Sequence, residues 1–224
     1  MTEEYLMTGS FGLDVDEWQG DFYDEDLPPE WRAASYSTLL RSVLLPEPEL
    51  QKAIAGDWAG EVDEEFRFIV HMEAKNEVGI TGLIKKLKAL PEDFAAQLAG
   101  VVLRIQPELA VNIKESVFKS ITEMFPICLD VGRESYAASG IDAYCNHAGL
   151  TAVWYPATQA EPMPGGEFLI TMINEETLPE QKEIVSKIEK WMTGQRRAGL
   201  FNTNKKNAPV RAQETRILAE LMGV

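Results

Sequence analysis

Two histidines and a few polar residues at the ends of apolar runs carry most of the chemistry this sequence offers. His71 falls near the C-terminal end of "EFRFIVHME" (65–73). The β-branched and aromatic content of that run reads as a strand, with Arg67, Ile69, His71 and Glu73 on one face. Asp130 ends a second run, "PICLDV" (126–131), Gln106 follows a third, "GVVLRI" (100–105), and Asn202 ends the last, "RAGLFNT" (197–203). A histidine and a carboxylate suit general acid–base work, and an asparagine can orient a substrate because it both donates and accepts. His71 and Asp130 are therefore the candidate catalytic residues, for hydrolase or lyase chemistry. Glu73 and Asp130 also offer the hard oxygens that a divalent cation such as Mg²⁺ takes.

Many established chemistries have no footing here. The chain holds no G-x-x-x-x-G-K-[ST] loop, no G-x-G-x-x-G after a strand, no H-E-x-x-H and no G-x-S-x-G. With only His71 and His147, a multi-histidine metal site is excluded, and a Ser-His-Asp arrangement would have to use one of the two. No dedicated cofactor is implied. His147 sits in "CNHAG", the last turn of an expected helix, where a favourable contact with the helix dipole accounts for it. The basic clusters are "KKLK" (85–88), Arg196–Arg197 and Lys205–Lys206. The last two flank the final strand. Barrel loops after the seventh and eighth strands often hold phosphate, so a small anionic ligand near Lys205 is a possible occupant.

The net charge of −15 is concentrated at the start, where residues 1–65 hold 17 acidic and 3 basic residues. Such a face repels phosphate backbones and disfavours nucleic acid. It reads as a solvated surface or as a docking face for a basic protein partner. Cys128 and Cys145 are too few for a disulfide framework, and Cys128 in "FPICLDV" reads as a small buried hydrophobe. The N-terminus lacks the pattern of a secretory signal, and no window reaches the length of a membrane span, so a cytoplasmic protein is expected.

Strand-like and helix-like segments alternate along all 224 residues. To the four runs above are added "EYLMTGS" (4–10), "LLRSVLL" (39–45), "LTAVWYP" (150–156) and "GEFLITMIN" (166–174), making eight candidate strands. Helices are expected in "VNIKESVFKSITEMF", with Ile113, Val117, Ile121 and Met124 on one side, and in "SGIDAYCNHAG", from a Ser139 cap to Gly149. A further helix starts at a Thr177/Glu180 capping box. The last, "APVRAQETRILAELMGV", is expected to pack through Ile217, Leu218, Leu221 and Met222. Eight short apolar strands between amphipathic helices imply an α/β fold. The expected form is a TIM-barrel-like (β/α) barrel of about eight parallel strands, irregular or incomplete, in one domain over 1–224. An open, doubly wound sheet is the alternative.

The stretch "DEWQGDFYDEDLPPEW" (16–31) sets four aromatic rings among seven carboxylates. It follows a Gly-Ser turn, and the pattern W-x-G-x-F-Y and then "LPPEW" resembles the start of the YecE-like family, catalogued as a domain of unknown function with a TIM-barrel-like fold. Later pieces resemble that family in the same order: "LLP-EPE", "FRFIVHMEA" with "GIT", "GVVLRIQPEL", "ICLDVGRESY" and "GLFNTNKKNAPVRA". Departures accompany the matches. His71 stands for the family's Lys, Asp130 for its Glu, Gly132 for its Arg, Arg133 for its His and Ile105 for its Gln. Its Arg-x-His-Gly in the seventh strand has no counterpart. Framework positions are kept while charged groups at the barrel mouth change, which implies an altered or lost active site. The expectation is a ligand- or partner-binding barrel, with Ser10, Trp18, Tyr23, Glu73, Gln106, Arg133, Asn202 and Asn204 as candidate binding residues. The alternative is an enzyme of small-molecule or phosphorylated substrates that uses mouth residues as general acid and base. In the loop, Trp18, Phe22 and Tyr23 are expected to pack, with Asp21, Asp24, Glu25 and Asp26 in water.

Overall fold

The computed structural model describes residues 6–106, 115–136 and 140–224. The expected helical residues 111–114, including Ile113, and the Ser139 cap lie outside them. All eight expected strands form: β1 (Leu6–Ser10), β2 (Ser42–Pro46), β3 (Arg67–Ala74), β4 (Leu98–Ile105), β5 (Ile127–Asp130), β6 (Thr151–Ala152), β7 (Phe168–Ile173) and β8 (Arg197–Asn202). The helices among the described residues are α1 (Arg32–Ser37), α2 (Glu47–Ala55), α3 (Trp58–Glu61), α4 (Glu77–Lys88), α5 (Glu92–Gln97), α6 (Glu115–Thr122), α7 (Ile141–Ala148), α8 (Leu178–Trp191) and α9 (Ala208–Met222). None of the described helices is long and apolar enough to cross a membrane.

Every ladder is parallel. The strands form a five-stranded sheet in the order β2-β3-β4-β5-β6 and a three-stranded sheet in the order β1-β8-β7. Two isolated parallel bridges link the sheets, Phe11 to Leu44 and Trp154 to Thr171. The Gly12 amide donates to Leu44 O at 2.9 Å, Trp154 N donates to Ile170 O at 2.8 Å, and Met172 N donates back to Trp154 O at 3.0 Å. Successive strand residues point to opposite faces, so the strands bury two sets of side chains. Phe68, Val70, Val101, Leu103 and Leu129 pack with the helices in one large cluster. Met7, Leu44, Ile69, Val102, Cys128, Val153, Ile170 and Phe201 meet on the other side in a second cluster, fed by β1, β2, β3, β4, β5, the segment after β6, β7 and β8. Runs apolar on both faces are what a helix-covered parallel sheet requires.

The Thr177/Glu180 capping box forms at the start of α8, and Gly149 takes the left-handed conformation (φ 68°) after α7. The last helix differs from expectation in part. Ala208, Ala212, Thr215 and Ala219 of α9 are buried, whereas Ile217 is 52% and Leu221 81% exposed; of the expected stripe Leu218 is half-buried and Met222 packs partly buried on the core. Small side chains let the α9 backbone lie close to β1 and β8, and a Leu on that face would hold it off.

The loop 16–31 packs three of its four rings, Trp31 being 61% exposed, and keeps its carboxylates wet. Trp18 and Tyr23 are buried, Phe22 is half-buried, and Asp21, Asp24, Glu25 and Asp26 are exposed. Trp18 Nε1 donates to Lys205 O at 2.8 Å and Tyr23 Oη to Leu13 O at 2.7 Å. Buried Arg32 lies 5.7 Å from the Tyr23 ring centroid and bonds Asp14, Asp16 and Gln19, fixing the loop's entrance.

Candidate functional site

The alternation that fills the second cluster also builds the site. Two residues beyond Ile69, Val102, Cys128, Val153 and Ile170, on the same face of each strand, stand His71, Arg104, Asp130, Tyr155 and Met172. These five sit at the C-terminal ends of β3, β4, β5, the segment after β6, and β7. Apolar packing thus gives way to a polar layer at one end of the strands, the end where parallel α/β folds place their ligands.

Asp130 is the centre of that layer and is 2% exposed. Its Oδ1 accepts from Arg104 Nη1 at 2.9 Å, Tyr155 Oη at 2.9 Å and Gly132 N at 2.7 Å, while Oδ2 lies 3.0 Å from His71 Nε2. Burial alone pushes its carboxyl up. The hydrogen bond and charge of His71, the charge of Arg104 and the Gly132 amide outweigh that and hold it below the usual carboxylate range. Tyr155 is pushed well above the ordinary phenol value by burial and by the Asp130 charge, so it is a fixed neutral donor. Its hydroxyl also lies 3.7 Å from Met172 Sδ. The edge of the Phe11 ring meets the His71 ring at 5.4 Å and 84°.

Gly132 shapes the layer from beneath. Its φ of 80° is a left-handed conformation that glycine adopts freely, and its amide is thereby turned toward Asp130. A Cβ at 132 would fall 2.4 Å from Arg104 Nη2, so the guanidinium occupies space that only a glycine leaves.

His71 connects this layer to a cavity of ≈ 500 Å³ whose walls include Phe11, Trp18, Pro46, Met172, Asn204 and Lys205. The imidazole is 18% exposed. Glu49 forms part of the rim, with its Oε2 accepting from Leu13 N at 2.9 Å and Asp14 N at 3.3 Å. Its carboxyl is raised by burial, against which the two amides act. Among the described residues, no three His, Cys, Asp or Glu side chains converge as a metal set. Both cysteines are free and buried, and burial pushes the Cys128 thiol up to about 12.

The expected site residues separate into groups. His71 and Asp130 meet directly, and Trp18 and Asn204 share the His71 cavity. Glu73 is exposed, in ladder register with Arg104, and Gln106 is exposed at the end of β4. Asn202 is buried and turned into its own loop, its Oδ1 accepting from Asn204 N at 2.9 Å. Ser10 is buried with its hydroxyl donating to Gly12 O at 2.7 Å, and it lies 2.9 Å from Tyr36 Oη. Tyr23 is buried in the loop over α1. Arg133 is exposed and lines a separate surface cavity of ≈ 450 Å³ with Glu176, Glu180 and Lys187. His147 is exposed at the end of α7.

Arg104, Tyr155 and Gly132 are site residues that the sequence reading did not select. A signal was present for the first two. Arg104 is the one charged residue in "GVVLRI", and Tyr155 keeps the parity of Val153.

Solved structures share this fold. A DUF72 family protein of Thermotoga maritima MSB8 matches with a TM-score of 0.72 at 13% sequence identity, over 97% of this chain and 100% of that one. A DUF72 family protein of Enterococcus faecalis V583 matches with a TM-score of 0.59 at 11% identity, over 96% of this chain and 95% of that one. A second crystal structure of a DUF72 family protein from the same organism matches with the same score and identity, over 98% of each chain. At such identities the likeness is one of fold. No family model and no curated protein matches the sequence.

Proposed function

We propose that this chain is a divergent YecE-like member of the DUF72 proteins, a single domain whose eight strands close into a barrel, and that the barrel mouth binds a small molecule. Closure is supported by the two bridges between the sheets and by the cluster fed by seven of the strands and the segment after β6. The binding role rests on one observation above the rest: Asp130 already accepts from Arg104, Tyr155 and Gly132 and faces His71 at its other oxygen. A carboxylate so engaged is a poor nucleophile, a poor base and a poor ligand for a hard cation. Its role is to hold Arg104 and His71 in place, and His71 in turn forms part of the wall of a cavity shared with Phe11, Trp18 and Met172. The buried thiols fit a reducing, cytoplasmic setting and a chain without a cysteine nucleophile.

Ligand-observed NMR with a library of small aromatic and aliphatic acids, alcohols and amides tests the reading. Binders are expected to shift the His71 ring and Met172 methyl resonances, and a Met172→Trp variant that fills the cavity is expected to abolish them. Binders that leave both resonances unmoved count against the mouth as the site.

The enzyme reading is favoured by a separate feature. His71 is both bonded to a buried carboxylate and open to the cavity, the arrangement that holds an imidazole in one tautomer for general acid–base work. Turnover in a hydrolase and phosphatase screen that His71→Gln lowers by about 10²–10⁴-fold would establish catalysis over binding alone.

A further inference from the structure

Arg104 is tethered by a single bond. Nη1 donates to Asp130 Oδ1 at 2.9 Å, and among the described residues Nε and Nη2 donate to nothing. The side chain is 41% exposed. An arginine bound through Nη1 leaves the Nε–Nη2 edge free, and that edge carries two parallel N–H groups spaced for a carboxylate or phosphate. The edge is also fixed in advance. Asp130 is itself pinned by Gly132 N at 2.7 Å and by Tyr155 Oη at 2.9 Å, so the guanidinium is held by a rigid partner. The space it fills exists because residue 132 has no side chain.

We propose that the Nε–Nη2 edge of Arg104 is the anion-binding group of the mouth, and that the ligand is a small molecule with a carboxylate or phosphate-monoester head and an apolar body. This rests on the reading of the mouth as a small-molecule site and names what that site selects. The head binds on Arg104 beside the His71 imidazole, since both side chains are held by the one Asp130 carboxylate. Arg104 is outside the walls of the His71 cavity, and the body reaches Phe11, Trp18 and Met172 in that cavity past the His71 ring. Glu73, in register with Arg104, adds its negative charge to that of Asp130 at the guanidinium but forms no ion pair with it among the described residues. Lys205, the cation that sequence position suggested, is exposed. Its backbone carbonyl accepts from Trp18, and among the described residues no hydrogen bond or ion pair fixes its ammonium. A point charge of that kind attracts an anion without orienting it. The high overall negative charge disfavours a long polyanion such as a nucleic acid strand and leaves a small anion that meets only the local charge of Arg104.

Calorimetric titration of the whole protein with phenyl phosphate, benzoate and neutral benzyl alcohol tests this assignment on the wild type, Arg104→Lys and Lys205→Gln. At least one anion is expected to bind the wild type about tenfold or more tightly than benzyl alcohol. Arg104→Lys keeps the charge but loses the fork, so it is expected to lose that preference while still binding benzyl alcohol. Lys205→Gln is expected to keep it. In the wild type the Arg104 Nε–H resonance is expected to shift with the anions, a readout that needs no variant to fold. Preference for phenyl phosphate alone assigns the head as phosphate, and preference for benzoate alone assigns it as carboxylate. Equal binding of all three probes with the Arg104 resonance unmoved overturns the anion assignment and leaves the mouth as a neutral-ligand site. Loss of preference in Lys205→Gln instead of Arg104→Lys overturns it in favour of the lysine. Failure of all three probes to bind overturns the assignment and the mouth reading together.

Discussion

Asp130 ties four parts of the chain to one carboxylate, and its energetics follow from that. Asp130→Asn removes the charge that Arg104 Nη1 and His71 Nε2 are bonded to, while leaving the volume nearly unchanged. Arg104 is 41% exposed and regains some solvation, so the expected loss is about 2–3 kcal/mol, read as a lower urea midpoint at unchanged slope. The effect depends on pH with a definite sign. The folded carboxyl titrates below the ordinary aspartate value, so the folded state binds fewer protons than the unfolded chain in that range. The stability it contributes is complete above that value and is lost as pH falls through the lower, folded value. The gap between wild type and Asp130→Asn is therefore expected to shrink on acidification, and a gap that stays constant through the acid range counts against the assignment. Gly132→Ala is expected to cost about 1–2 kcal/mol for the left-handed backbone, with a further loss because its Cβ would meet Arg104 Nη2. Equal stability of Gly132→Ala and wild type would show that the loop relaxes freely. His71 and Asp130 were readable from the sequence because strand parity and a position at a strand end are local properties. Arg104 and Tyr155 obeyed the same parity, but a lone arginine in an apolar run and a tyrosine before Pro156 also suit a surface, and only the closure of β4, β5 and the segment after β6 around one carboxylate separates the two cases.

Among the elements, α9 is where hydrophobicity and contact part. Two of the large apolar side chains expected to pack, Ile217 and Leu221, are exposed, while Leu218 is half-buried and Met222 packs partly buried on the core, and the fully buried face includes Ala208, Ala212, Thr215 and Ala219. Reading the stripe from the biggest residues misses that face, because close approach of a helix to a strand is limited by size and not by transfer energy. The contact has a test in opposite directions. Ala212→Leu is expected to destabilise by about 1–3 kcal/mol through overpacking, and Leu221→Ser to change stability by no more than about 0.5 kcal/mol, both by urea unfolding. The reverse order of effects would restore Leu221 to the packed face. The Thr177/Glu180 box and Gly149 were read correctly because caps answer the unsatisfied backbone groups of a helix end, whose identity does not depend on what the helix later packs against. The loop 16–31 falls between these cases. Burial of Trp18 and Tyr23 was readable from ring size, whereas the hold on Trp18 by Lys205 O links residues 187 apart, a distance no local pattern spans.

For the whole molecule, the question is how the five-stranded and three-stranded sheets are joined. The length of the chain and its eight alternating runs predicted a barrel. Yet the proposed closure depends on two seams made of single bridges, at Phe11–Leu44 and Trp154–Thr171. One residue of each seam touches the site or neighbours a residue that does. Phe11 packs its ring edge on His71, and Tyr155, next to Trp154, donates to Asp130. An open seam would release one of those two contacts, so the proposed closure and the geometry of the site stand or fall together. Amide exchange measures this directly. The seam amides of Gly12, Trp154 and Met172 donate at 2.9, 2.8 and 3.0 Å across the two joins. In a closed barrel no strand is an edge, and these amides are expected to be protected to within about 1–2 kcal/mol of Val70 and Val102 at the centre of the β2-β3-β4-β5-β6 sheet. Two sheets that merely touch would behave differently, because β2, β6, β1 and β7 would then be edges that open locally and exchange far faster than the centre. Tyr155→Phe separates the contributions further. It removes the hydroxyl that donates to Asp130 without touching either bridge, so faster exchange at Trp154 but not at Gly12 would show that the polar layer helps to hold its own seam shut.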